Sequence, residues 1–355
     1  MRNSVVTVAG VCRRHLSSSV TLHGGPAGVF TRAGQAMTSC HFQSNYSSTA
    51  TSASGQSCYV PLRRHLVCGC SDVVGVQTGG VVCRLTESSH RVAGLTCLND
   101  TLYVLRCRDS DQIEFHVLEC SAPPRFCLRR CLSLPRLYRD DWNDLASSGK
   151  HRRLYVSNFS MNRIQAVDLR DSSVTLWPLP DAPCGLSITR DENLLVTFQE
   201  PKRPGKVMEI DGGSGSCLRK LVFEDGVLWT WHTVDVQHGQ YLVSHGYYDQ
   251  HNHCVSLVAA ADGRKVRSYG GIRGSDVGKL YVPYHVTVDR RDGRVYVADH
   301  HNGRVVILSA ELQFLGCLAS QDRELRSRPR RLCLDLQAQL IYVGQDDGTV
   351  TAFQL

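Results

Sequence analysis

Six times along this chain of 355 residues the sequence repeats one short phrase: an apolar residue, then Tyr or Leu, then Val. It reads Leu102-Tyr103-Val104, Leu154-Tyr155-Val156, Leu194-Leu195-Val196, Tyr241-Leu242-Val243, Val295-Tyr296-Val297 and Ile341-Tyr342-Val343. Its central positions fall 52, 40, 47, 54 and 46 residues apart. A period of roughly 40–50 residues carried by short strands points to a propeller, a disc of blades whose loops lie on two faces. Six repeats therefore predict an all-β, six-bladed β-propeller of four-stranded antiparallel blades.

The clearest copy spans 280–320. Pro283-Tyr284-His285 opens a first strand, Val286-Thr287-Val288-Asp289, and Arg294 to Asp299 forms the second. Arg304 to Leu308 forms the third and Phe314 to Leu318 the fourth. The strands are short, β-branched and bounded by Gly, Asn and Asp, as a meander requires. The last repeat ends on its third strand, Thr349 to Phe353, which leaves a bare edge. The expected remedy is ring closure, with Val73-Val74-Gly75-Val76 supplying the missing strand.

On these residues the chain resembles the NHL-repeat propellers, notably those at the C-terminus of tripartite-motif proteins. The likeness is carried by Ser268-Tyr269-Gly270-Gly271, Gly274-Ser275, Leu280, Pro283, Val286 to Asp289, Val295 to Asp299, Asn302 and Arg304-Val305. It is strongest in that repeat and covers 72–355, which is read as one propeller domain. The resemblance implies a non-catalytic binding module, a protein-interaction scaffold, with single-stranded RNA binding on the same face as the alternative. No RING or B-box accompanies it.

Residues 1–71 hold no Asp or Glu, six Arg and many Ser, Thr and Gly. Such a segment buries too little apolar surface to offset ordering entropy, so a disordered basic tail is expected. It carries six of the seven net positive charges and leaves +1 for the propeller, so nucleic-acid binding would need a local patch. The sixteen Cys are scattered, with no C-x-x-C pair and no zinc-finger spacing. They read as reduced thiols of a cytoplasmic protein, with a mitochondrial address, from the acid-free tail, as the alternative. No apolar run reaches membrane-span length, so no membrane association is expected. The isolated chain is expected to be a monomer with no cofactor and no metal.

The loops leading into the first strands and the turns between second and third strands share one face of such a disc. They gather Arg106, Arg108, Arg163, Lys202, Arg203, Tyr247, Tyr248, His232, His245, Tyr284, His285, His300, His301, Arg330 and Arg331, a candidate ligand-binding face. Guanidinium groups pair with phosphates and aromatic rings stack on bases, hence the RNA reading. Arg163 and Arg304 each follow an Asn of the repeat frame and are expected to hold their turns. Two enzyme classes weigh less. A calcium-dependent propeller lactonase gathers acids at the axis, whereas the corresponding positions here are Asn143, Asp144, His232 and His285. A zinc-dependent peptide-amidating lyase uses His from successive blades; His232 and His285 fit that pattern, and no third His completes it.

Overall fold

A computed structural model describes residues 80–86, 90–106, 112–119, 124–134, 144–199, 203–237, 239–247 and 251–355. Within them the chain forms twenty-four strands in six four-stranded antiparallel sheets. The first blade runs β2 (Val92–Leu98), β3 (Thr101–Arg106), β4 (Gln112–Glu119), β5 (Arg125–Ser133). The second is β6 (Leu145–Ser148), β7 (Arg153–Asn158), β8 (Arg163–Asp168), β9 (Val174–Pro178). The third is β10 (Pro183–Ile188), β11 (Leu194–Phe198), β12 (Lys206–Ile210), β13 (Cys217–Val222). The fourth is β14 (Thr230–Val236), β15 (Gln240–His245), β16 (His253–Ala259), β17 (Lys265–Gly271). The fifth is β18 (Pro283–Val288), β19 (Val295–Asp299), β20 (Arg304–Leu308), β21 (Phe314–Ser320). The sixth joins β22 (Pro329–Asp335), β23 (Leu340–Gln345) and β24 (Val350–Gln354) to β1 (Val81–Leu85) from the other end of the described chain. The only helical element among the described residues is a 3-10 turn at His300–Asn302.

Ring closure thus happens, but with a different strand from the one expected. Arg84 and Leu85 pair with Thr351 and Val350. The Val73-Val76 stretch lies outside the described residues. The physical reason for the choice is packing: Leu85 is buried with Val350, Ala352 and Tyr342, so the closing strand adds to the core as well as covering an edge. The expected basic tail, 1–71, also lies outside the described residues.

The recurrent phrase occupies the second strand of every blade, and its register explains its composition. Leu154 and Val156 pack with the first blade, whereas Tyr155 between them packs with the third. Val295 and Val297 likewise face the fourth blade, and Tyr296 faces the sixth. The same alternation holds for the other four copies. A strand buried on both faces needs an unbroken apolar run, since successive side chains point to opposite faces. Six apolar clusters therefore fill the six gaps between blades, and none lies within a single blade. A blade alone would leave both faces wet, which is why the repeats must stack.

The first strands β2, β6, β10, β14, β18 and β22 contact one another in cyclic order and line the axis. Five of the six carry a register shift at the same point: Val92/Gly94, Pro183/Gly185, Thr230/His232, Pro283/His285 and Pro329/Arg331. Each bulge inserts one residue and re-aims its neighbour's side chain.

Candidate functional site

Strand register defines one equivalent position in all six blades, the residue just before the partner of the phrase's Val. It is Gly94 in the first blade, opposite Leu105. In the second it is Asp144, whose carbonyl accepts from the Ser157 amide. In the others it is Gly185, His232, His285 and Arg331, opposite Thr197, Ser244, Ala298 and Gly344. Every side chain in this axial ring is thus Asp, His or Arg, and the two neighbours of Asp144 are glycines. The glycines are required by space. A Cβ on Gly94 would stand 2.5 Å from the Leu145 Cβ, and one on Gly185 2.3 Å from the Trp231 carbonyl oxygen.

Asp144, His232, His285 and Arg331 are all buried. Asp144 Oδ1 accepts from the Leu145 amide at 2.9 Å and lies 3.0 Å from Arg331 Nε. That same Nε donates to the Ala93 carbonyl at 2.6 Å. Oδ2 accepts from the Leu186 amide at 3.0 Å and faces two imidazoles, His232 Nε2 at 3.8 Å and His285 Nε2 at 3.9 Å. The second and fifth blades are opposite in the ring, so the approach of Asp144 to His285 lies on the axis. The two imidazoles stack at 3.7 Å between centroids, 27° from parallel. Burial lowers the pKa of both, that of His285 well below its ordinary value with help from His232 and Arg331. Both rings are therefore neutral near pH 7, and the Nδ1 of each is buried without a hydrogen-bond partner among the described residues.

A second tier lies beside the ring on the fourth to sixth blades. Tyr284 stacks on Trp231 at 4.5 Å, and the Arg330 guanidinium sits 4.5 Å from the Tyr284 centroid while donating to its hydroxyl at 2.9 Å. Arg330 also pairs with Asp346 Oδ1 at 3.4 Å. His300 Nε2 donates to Asp346 Oδ2 at 2.8 Å. Burial would raise the Asp346 pKa, but the hydrogen bond from His300 and the charge of Arg330 outweigh it and hold it at about 2. Burial in turn keeps His300 neutral despite Asp346. With its proton on Nε2, the His300 Nδ1 accepts from His301 Nδ1, 3.0 Å away. This relay from Asp346 leaves the His301 Nε2 lone pair at the half-buried rim, beside Tyr281 at 4.7 Å. Tyr247 continues the rim, edge-on to Trp231 at 5.1 Å and 5.3 Å from half-buried Trp229.

Of the sequence-derived face, the structure gathers His232, His285, Tyr284, His300, His301, Arg330 and Arg331 about the axis, and most of these are not solvated. Arg106, His232, His245, Tyr284, His285, His300, Arg330 and Arg331 are buried. Arg163, Tyr247 and His301 are half-buried and Arg203 is exposed. Arg108, Lys202 and Tyr248 lie outside the described residues. Arg106 is held away from the axial cluster by Glu114, 2.9 Å from its Nε, and by the Gly348 carbonyl. His245 bonds Ser256 Oγ at 2.8 Å. Arg304 binds buried Asp299 at 2.7 Å and the Lys279 carbonyl at 3.0 Å, tying the loop before β18 to the turn after β19. The sequence places Asn143, Asp144, His232 and His285 at corresponding entry positions, with too few acids for calcium and no third His for zinc. The signal that joins Asp144 to the two His is register: one residue before the partner of each phrase Val, counted blade by blade.

No known protein family matches this sequence, and no curated protein matches it. Solved structures do match in shape. A chain of Kuenenia stuttgartiensis hydrazine synthase aligns over 80% of this chain and 99% of its own, at 14% identity and a TM-score of 0.55. Virginiamycin B lyase from Staphylococcus aureus aligns over 77% of this chain and 98% of its own, at 10% identity and a TM-score of 0.52. At such identity these likenesses establish the propeller fold and nothing finer.

Proposed function

We propose that this propeller is a binding module that takes a protein segment across the channel mouth of its fourth, fifth and sixth blades. One observation carries the reading. The half-buried groups at that mouth include the neutral rings Trp229, Tyr247, Tyr281 and His301, and its cations Arg330 and Arg331 are buried against Asp346 and Asp144. That leaves exposed Arg273, over the Tyr281 ring, and exposed Arg328, beside His301, as the solvated charges there. Arginines neutralised below the surface contribute little to a phosphate-binding field, and rigid aromatic rims over a packed base suit protein contacts. The understructure is rigid because Trp231, Arg330 and His300 all pack against the Tyr284 ring. The NHL-like repeat frame of 268–305 fits the same reading, which makes RNA the competing ligand rather than the leading one.

The test is affinity capture from cell extract with full-length protein, with and without nuclease, alongside a Tyr247→Ala, Tyr281→Ala double variant. The expected result is a nuclease-resistant set of bound proteins that the double variant loses while its melting temperature holds. Binding that nuclease abolishes, or that the variant retains, overturns the reading.

A further inference from the structure

The axial ring contains a second, independent opportunity. Asp144, His232 and His285 each present one donor atom, and those atoms lie within 4.8 Å of one another. We propose that this triangle is a seat for one divalent transition-metal ion of the zinc class. The carrying observation is a spacing. The separations of 3.8 and 3.9 Å from Oδ2 to the two Nε2 atoms are too long for hydrogen bonds. A tetrahedral ion with bonds of roughly 2.0–2.1 Å spaces its ligands about 3.3–3.4 Å apart, so a contraction of about 0.5 Å brings Oδ2 to ligand spacing from each Nε2.

The surroundings prepare the donors. Asp144 Oδ1 is occupied by the Leu145 amide and Arg331, which fixes the carboxylate and leaves Oδ2 toward the imidazoles. Arg331 opposes a cation and so limits affinity, but it stands on the far oxygen. Gly94 packs against the Asp144–Leu145 backbone and Gly185 against Trp231 and His232, so a side chain at either place would push a ligand strand outward. His285 has its Nδ1 buried without a partner, and its Nε2 stops short of Asp144. His232 Nε2 now lies 2.9 Å from the Leu186 carbonyl. Metal binding there moves its proton to Nδ1, also buried and unpartnered, with no change in net charge of the ring. Two imidazoles and one carboxylate select zinc, cobalt or nickel over calcium or magnesium, which favour all-oxygen shells. Three protein ligands leave a further position open to water or ligand.

Chelator-stripped full-length protein, titrated with cobalt and then competed with zinc, tests this. The expected result is one cobalt per chain, with visible bands of a low-coordinate ion and no thiolate charge-transfer band. His285→Gln and Asp144→Asn are expected to weaken binding by at least about ten-fold, the loss that even outer-shell changes cost. Cys184→Ser and the Tyr247→Ala, Tyr281→Ala rim variant should bind as the parent does, which separates this site from the mouth. Absence of stoichiometric cobalt, a thiolate band, or binding that both ligand variants keep overturns the assignment. Should either ligand variant fail to fold, the parent's cobalt stoichiometry and spectrum decide alone.

Discussion

Gly185 has backbone on the side where a methyl group would go. A Cβ there meets the Trp231 carbonyl at 2.3 Å and the His232 Cα at 2.9 Å, neither of which is a flexible side-chain end. Gly185→Ala is expected to cost about 1–3 kcal/mol by overpacking, read from urea unfolding. An unchanged midpoint would mean the axial ring yields more easily than its packing implies. Arg106 offers a second residue-scale test. Glu114 accepts from Arg106 Nε and His116 Nε2, both at 2.9 Å. Burial would raise its pKa, yet the His116 hydrogen bond and the Arg106 charge outweigh that and hold it at about 2. Arg106→Leu leaves this buried carboxylate with His116 alone and should cost about 3 kcal/mol. Because the folded pKa is depressed, the Glu114 contribution is present above about pH 4.3 and is lost as the pH falls toward 2. Glu114→Gln should flatten acid unfolding in that window.

At the scale of elements, β1 is the piece on which closure depends. It covers β24, and Leu85 joins the apolar cluster between the sixth and first blades. Deleting 81–85 bares one strand edge and removes that packing, so the variant should melt earlier and associate through the exposed edge. Size-exclusion chromatography and thermal melts check this; a monomer with an unchanged melt would show that ring closure does not need β1. The second strands were legible in advance because burial on both faces imposes an apolar run, as in Leu154-Tyr155-Val156. The closing strand was not, since two short Val-rich stretches precede the first repeat, Val73-Val76 and Val81-Leu85, and pairing choice between them is decided by contacts with β24.

The molecule as a whole carries buried neutral histidines, and this sets its acid response. Burial lowers the pKa of His245 to about 3, that of His301 to about 4 and that of His300 in the same direction. In the unfolded chain all three protonate near pH 6.5. The unfolded state therefore binds more protons once the pH drops below about 6.5, and stability falls with it, until about pH 4 for His301 and about pH 3 for His245. Urea midpoints measured at pH 7.5, 6 and 5 should decline in that order; a flat series would mean these rings are not held neutral.

The sequence by itself determined the number of blades and the strand that each phrase forms. Both follow from local rules: side-chain alternation, turn residues and repeat period. What only the tertiary structure decided is which of those polar residues meet. Asp144 and His285 are separated by half the ring and more than a hundred residues, yet closure brings them to one axis. The same closure buries Arg330 and Arg331 against carboxylates instead of leaving them to solvent. Contact across a closed ring depends on the summed twist of all six blades, which no single repeat encodes.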